Sequence, residues 1–267
     1  MQLIKLAINL GAIAAFALTS IGLQLPRLQQ KLVGQTPEAD QRWIQQEKAR
    51  LKFLNQLPPK GFGFNNIIAD LTFLGFLQYF GDDVARLKNK TGYVLSPDYF
   101  DVIISRDPRH IYAYLFMSNS VTLFAAQPHR AITLYEQGLP FIIPEKQYDA
   151  YTVWRRRAID ELLFLGDSAA ARKSYLKAAE WADRATFPPD ALPETKFVAA
   201  YSRASAEFLR QDPNSSAARI SAWGSVLTSA VDQKTFQIAV NELDKLGMLV
   251  QTDAQGRLQL VPKSKNP

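Results

Sequence analysis

The chain has no cysteine and only two histidines, His110 and His129, nineteen residues apart. Without cysteine there is no disulfide, no thiolate metal site, no Cys nucleophile and no lipidated lipoprotein cysteine. Two separated histidines leave little for zinc binding or general-base chemistry. There is no phosphate loop either: Gly61-Phe62-Gly63 forms a turn but lacks the further glycine and the Lys-Ser/Thr ending. Ser118, Ser120 and Thr122 have no nucleophile elbow around them. The sequence therefore leads us to expect no catalytic residue, no metal and no cofactor. The one enzymatic alternative is a functional acid at Asp70, for which no partner acid or base stands at useful spacing. Excess charge is also modest. Charged residues make up 21% and the net charge is +6, which suits anionic headgroups or an acidic partner and is too scattered to imply nucleic acid.

What the chain does have, at its start, is an uncharged run of twenty residues, Leu6 to Leu25, closed by Pro26. As a helix it would rise about 30 Å, the thickness of a bilayer's hydrocarbon core. Residues 1–25 are therefore expected to be a transmembrane anchor. A cleaved signal and a buried helix are the alternatives, but the run exceeds the apolar stretch of an ordinary signal. Lys5 precedes it, and Arg27, Lys31 and Arg42 follow, so the positive-inside bias favours a cytoplasmic-side domain. Residues 26–60 read as a juxtamembrane linker with a short amphipathic helix over Gln41–Leu57, stopped by Pro58 and Pro59.

Asn65–Phe80 is apolar nearly all round and is expected to be buried centrally, with Asp70 a paired or capping carboxylate in the core. From Leu95 onward, helices are expected over residues 96–104, 111–126, 129–137, 148–165, 168–185 and 194–210. They are punctuated by Pro108, Pro128, Gly138, Gly166 and Pro188. Short turns between them imply antiparallel neighbours. Arg155-Arg156-Arg157 is the strongest basic cluster; on a helix the three spread over about 200°, with Asp160 and Glu161 close enough to pair. That reads as a charged face, the alternative being a phosphate or lipid contact. The 26 Tyr and Phe residues, many within 62–154, are core formers, with some left for a binding groove.

Ala131, Tyr135, Gly138 and Pro140 form a small–aromatic–small–proline series, and Ala171, Tyr175 and Ala178 repeat it 40 residues later without the proline. Ser96, Phe100, Ile103 and Pro108 offer an earlier, looser copy. This resembles the tetratricopeptide repeat family, a helix–turn–helix unit of about 34 residues. The resemblance covers residues 95–210, with a longer spacing and without the tryptophan and glycine markers of the first helix. It implies a stack of helix pairs (residues 61–210) that binds protein partners on its concave side, and some membrane-anchored members assist assembly of photosynthetic or other membrane complexes.

The last part, residues 211–267, is expected to hold helices over 215–229 and 232–246 and a β-hairpin of 248–252 with 257–261. Helix plus hairpin is similar to half of a winged-helix DNA-binding module. Gln233, Lys234, Gln237, Asn241 and Lys245 would face the duplex, but Asp232, Glu242 and Asp244 make that helix net negative. The competing reading is a cap on the open end of the stack. The expectation is thus a mainly α protein: anchor, linker, tetratricopeptide-like helix pairs and a helix-plus-hairpin cap. Its expected role is that of a non-enzymatic scaffold or assembly factor, with a DNA-binding regulator as the alternative.

Overall fold

The computed structural model describes residues 18–19, 21–22, 36–58, 63–189, 197–253 and 257–263. Two compact units are separated, residues 1–43 and 44–267. In the first, most of the expected anchor (residues 1–25) and residues 26–35 of the expected linker lie outside the described residues. Leu18, Thr19, Ile21 and Gly22 are helical. Among the described residues no helix is long and apolar enough to cross a membrane.

The protein is mainly helical and ends in one small sheet. Helix α1 spans Pro37–Gln56, α2 Asn65–Gly81, α3 Asp83–Asn89 and α4 Ser96–Arg106. Helix α5, Ile111–Met117, runs straight into a π-helical segment, π1, Ser118–Phe124. Then come α6, Pro128–Gly138, and a 3-10 turn at Leu139–Phe141. Helix α7, Tyr151–Asp160, runs into π2, Glu161–Leu165. Helices α8 (Ser168–Arg184), α9 (Val198–Gln211), α10 (Ser216–Ser229) and α11 (Gln233–Lys245) follow, then strands β1 (Met248–Thr252) and β2 (Leu258–Pro262).

Caps explain several starts. Asp167 Oδ1 accepts from Ala170 N (2.8 Å) ahead of α8, and Asp232 Oδ1 from Thr235 N (3.0 Å) ahead of α11. Each side chain satisfies an amide that the helix leaves unpaired. His110 does the same for α5 through Nδ1 (3.2 Å to Ala113 N). The end of α1 is held by a buried cation. Arg106 on α4 donates to the carbonyls of Leu54 (2.5 Å), Leu57 (2.5 Å) and Pro58 (3.3 Å). A cation there answers both the orphan carbonyls and the helix dipole.

From α2 onward the helices pack against near neighbours in the chain, α2 and α4 running antiparallel. Phe76 of α2 meets Phe100 of α4 at 4.7 Å between ring centroids, while Asn65 lies near Arg106 at the other end. Tyr114 of α5 stacks on Tyr135 of α6 at 6.1 Å. Trp154 of α7 meets Trp181 of α8 edge-on at 5.8 Å, and Asp183 pairs with Arg203 of α9. Small residues permit the approach: Ala131, Ala158, Ala171 and Ala178 are fully buried, and a Cβ on Gly138 would overlap the Tyr114 hydroxyl.

Two expectations fail at α2. The helix is not buried all round. Ala69, Phe73, Phe76 and Tyr79 are inside, but Ile67, Leu71 and Leu74 are more than half exposed. Its packed side is occupied by α4 and by Phe116 of α5, whose ring lies 5.6 Å from Phe73. Asp70 sits on the open side, 63% exposed, with its Oδ1 3.8 Å from His110 Nε2. An apolar circumference signals burial only if neighbours exist on every side, and here they do not.

The C-terminal part closes on its own core of Trp223, Val226, Leu227, Ala239 and Leu243, with Met248, Val250 and Leu260 of the hairpin against it. The strands are antiparallel, with Met248 opposite Pro262 and Val250 opposite Leu260. This module docks on Leu123, Ala126, Leu163 and Phe164, at the turns where π1 and π2 end. It therefore covers the ends of π1 and π2. The last helix in the series, α9, leaves Tyr201 and Phe208 exposed.

Candidate functional site

One opening between helices is walled by α5, α7 and α9. Leu115 comes from α5; Tyr151, Thr152, Arg155, Arg156 and Ile159 from α7; Val198 from α9. Its volume is about 410 Å³. Tyr151, Arg155 and Ile159 recur at four-residue steps, so they lie along one face of α7. Arg155 and Arg156 are half-buried, and among the described residues neither makes a hydrogen bond or ion pair. Two cations set among apolar and aromatic walls, neither held in an ion pair, are suited to a carboxylate or phosphate.

Arg157, the third of the run, is committed elsewhere. Its Nε is 2.7 Å from buried Glu161 and an Nη is 3.1 Å from Glu136, while its guanidinium lies over the Trp154 ring. A second opening of about 450 Å³, lined by Trp154, Arg157, Glu161, Lys173 and Lys177, is thus already charge-balanced in part. The sequence spread the three arginines over about 200° of a charged face, with Asp160 and Glu161 in reach of pairing, and Glu161 does pair, with Arg157. The helix separates them into a paired member and two open ones, because consecutive residues point about 100° apart.

Beneath the first cleft lies a polar cluster that sequence reasoning missed. Asp160 is buried at the end of α7, accepting from Ser118 Oγ (3.0 Å) and Tyr135 Oη (3.1 Å). Thr122 faces the same carboxyl, though its hydroxyl makes no hydrogen bond of good geometry. Burial pushes Asp160 up to about 7, held back by these hydroxyls and by the charge of Arg156. Burial, with the negative charge of Asp160, also raises the Tyr135 phenol well above its usual value. The signal available in sequence was the polar pair Ser118 and Thr122, four apart inside an apolar helix. Such residues need partners when buried.

The remaining candidates resolve simply. His110 caps a helix and His129 is exposed. Ser120 bonds back to the Phe116 carbonyl at 2.8 Å. Gly61 and Phe62 lie outside the described residues. Among the described residues there is no group of three or more His, Cys, Asp or Glu placed to hold a metal. On the C-terminal module, Lys245 pairs with Glu242 (2.6 Å), Lys263 with Asp244 (2.6 Å) and Arg257 with Asp253 (2.9 Å). Three of its cations are thereby neutralised, and Gln237 bonds to Asn241 at 3.0 Å.

No family model, curated protein or solved structure matches this chain. Function must be argued from the site itself.

Proposed function

We propose that the protein is a non-enzymatic, membrane-tethered scaffold of the tetratricopeptide-like kind that grips an acidic segment of a protein partner. The observation that carries this reading is the cleft with two unpaired, half-buried arginines between apolar walls. A partner's backbone and apolar side chains would lie along Tyr151, Ile159 and Val198, and its carboxylates would meet Arg155 and Arg156. Tetratricopeptide-like character is supported by the 40-residue recurrence. Ala131, Tyr135 and Gly138 on α6 occupy buried positions, as do Ala171, Tyr175 and Ala178 on α8. The tether is supported by the uncharged run Leu6–Leu25, and it would raise the domain's effective concentration at neighbouring membrane complexes.

The test uses the full chain in mild detergent with a blocked peptide, Glu-Glu-Leu-Glu-Glu-Leu, labelled with a fluorophore. Replacing both Arg155 and Arg156 by Ala should weaken binding at least about tenfold, as expected when charge-assisted contacts are lost. Replacing Lys173 and Lys177 by Ala should leave it within about twofold beyond general screening. Equal losses from both pairs would refer the binding to net charge and end the cleft reading. In cells, affinity capture should return one or two membrane-complex subunits in constant proportion.

A further inference from the structure

The cleft has a buried acid one helical turn behind one of its two arginines. Asp160 follows Arg156 by four residues on α7, so the two side chains share a face. Asp160 points inward, where its hydrogen bonds come from the hydroxyls of Ser118 on π1 and Tyr135 on α6. Thr122 of π1 faces it as well. Arg156 lines the opening, and its charge acts on Asp160. Glu161, its neighbour in sequence, turns the other way and is taken up by Arg157 and by Ser174 Oγ at 2.7 Å. The Asp160 pocket therefore contains one carboxyl, three hydroxyls and one cation that also serves the cleft.

We propose that anion binding at Arg156 and proton uptake by Asp160 are coupled, so that the cleft holds an acidic segment more tightly as pH falls. This deepens the cleft reading above and rests on it. The sign follows from charge alone. An empty Arg156 favours the ionised form of Asp160 across one turn of helix. A bound carboxylate neutralises Arg156 and adds a negative charge of its own nearby. Both changes favour protonated Asp160, so binding draws in a proton. By reciprocity, protonation of Asp160 removes a negative charge from behind Arg156 and so strengthens the hold on the ligand. The hydroxyl of Thr122, which has no hydrogen-bond partner, is placed to take the new O–H. A carboxyl held by burial near neutrality titrates in the range where this coupling is read out. Neither histidine lines the cleft: His110 faces Asp70 and Phe73, and His129 is exposed.

The experiment measures binding of the same blocked acidic peptide to the full chain in detergent between pH 6 and 8.5, where the peptide's own carboxylates stay ionised. Affinity should rise about three- to tenfold as pH falls across that range, the span of a modest coupling. Titration calorimetry at pH 7 in two buffers of different ionisation enthalpy should show net proton uptake on binding. In Asp160→Asn the pH dependence should vanish while binding persists. The calorimetric measurement on the natural chain stands even if that variant folds poorly. Peptide binding with no proton uptake and a flat pH profile would overturn the coupling and leave the cleft reading intact, as would a slope that survives in Asp160→Asn. No peptide binding at any pH would remove the cleft reading and the coupling together.

Discussion

Asp160 is the residue whose chemistry departs most from what its letter suggests. An aspartate near the end of a charged helix ordinarily lies in water, yet this one is almost wholly enclosed. Its folded pKa, near 7, lies above the unfolded value of 3.8. Between those values the folded chain holds a proton that the unfolded chain has released. Stability therefore falls as pH rises from about 4 to about 7, and the penalty is complete above that. Asp160→Asn cannot pay this penalty. The melting temperature of the variant relative to the natural chain should accordingly climb as pH is raised from 4 to 8, measured by thermal unfolding in matched buffers. A constant difference across that range would show that folding does not shift the titration of Asp160. Two other positions show how closely local backbone follows the recurrence. Ala126 and Gly166, 40 residues apart, both adopt positive φ (51° and 70°) just after π1 and π2. Gly166 leaves room that the Arg219 guanidinium occupies, whereas Ala126 bears the left-handed conformation with a side chain.

Among the elements, α2 separates apolarity from burial most clearly. Its packed face carries Phe76, which touches Tyr99, Phe100 and Phe116. Its open face carries Ile67, Leu71 and Leu74. Phe76→Ala should cost about 3–5 kcal/mol, because it removes a fully buried ring and leaves a cavity. Leu71→Lys should stay within about 0.5 kcal/mol, the range of exposed positions. Denaturant unfolding of the two variants checks both; a large loss from Leu71→Lys would mean that the open face is covered in solution. The π segments are a second feature of this level. Each widens the end of a helix, shown by Ala125 N bonding to Ser120 O (3.0 Å), five residues back. No apolar period announces such a widening, so the sequence read residues 111–126 and 148–165 as single α-helices. Helix α3 was missed as well: seven residues, Asp83–Asn89, are too few for a periodic pattern to register.

For the molecule as a whole, the C-terminal module matters through where it docks. Trp223 is buried edge-on to Phe164 at 5.5 Å, joining the module to the turn after π2. Trp223→Ala should destabilise by about 3–5 kcal/mol and should loosen both the hairpin and residues 160–166, read as faster amide exchange in both segments. If only the hairpin loosens, the module is an appendage and not part of the helical body. Tyr201 and Phe208 of α9 stay exposed, so the module leaves that face of the helical body uncovered.

Much of this architecture was written locally. Prolines, glycines and caps marked helix boundaries to within a few residues: α8 was expected to start at Ser168 and does, and the hairpin strands fell where alternation placed them. The small–aromatic–small series marked which faces of α6 and α8 would be buried, because only small side chains let helices close on each other. Residues far apart in the chain decided the rest. That Arg157 is paired while Arg155 and Arg156 stand open depends on Glu136 and on the position of α9. That Asp160 is shielded depends on hydroxyls 25 and 42 residues away. Helix period and capping act over a few residues, so a sequence displays them directly. The surroundings of a charge are created by packing, and they exist only once the helices have met.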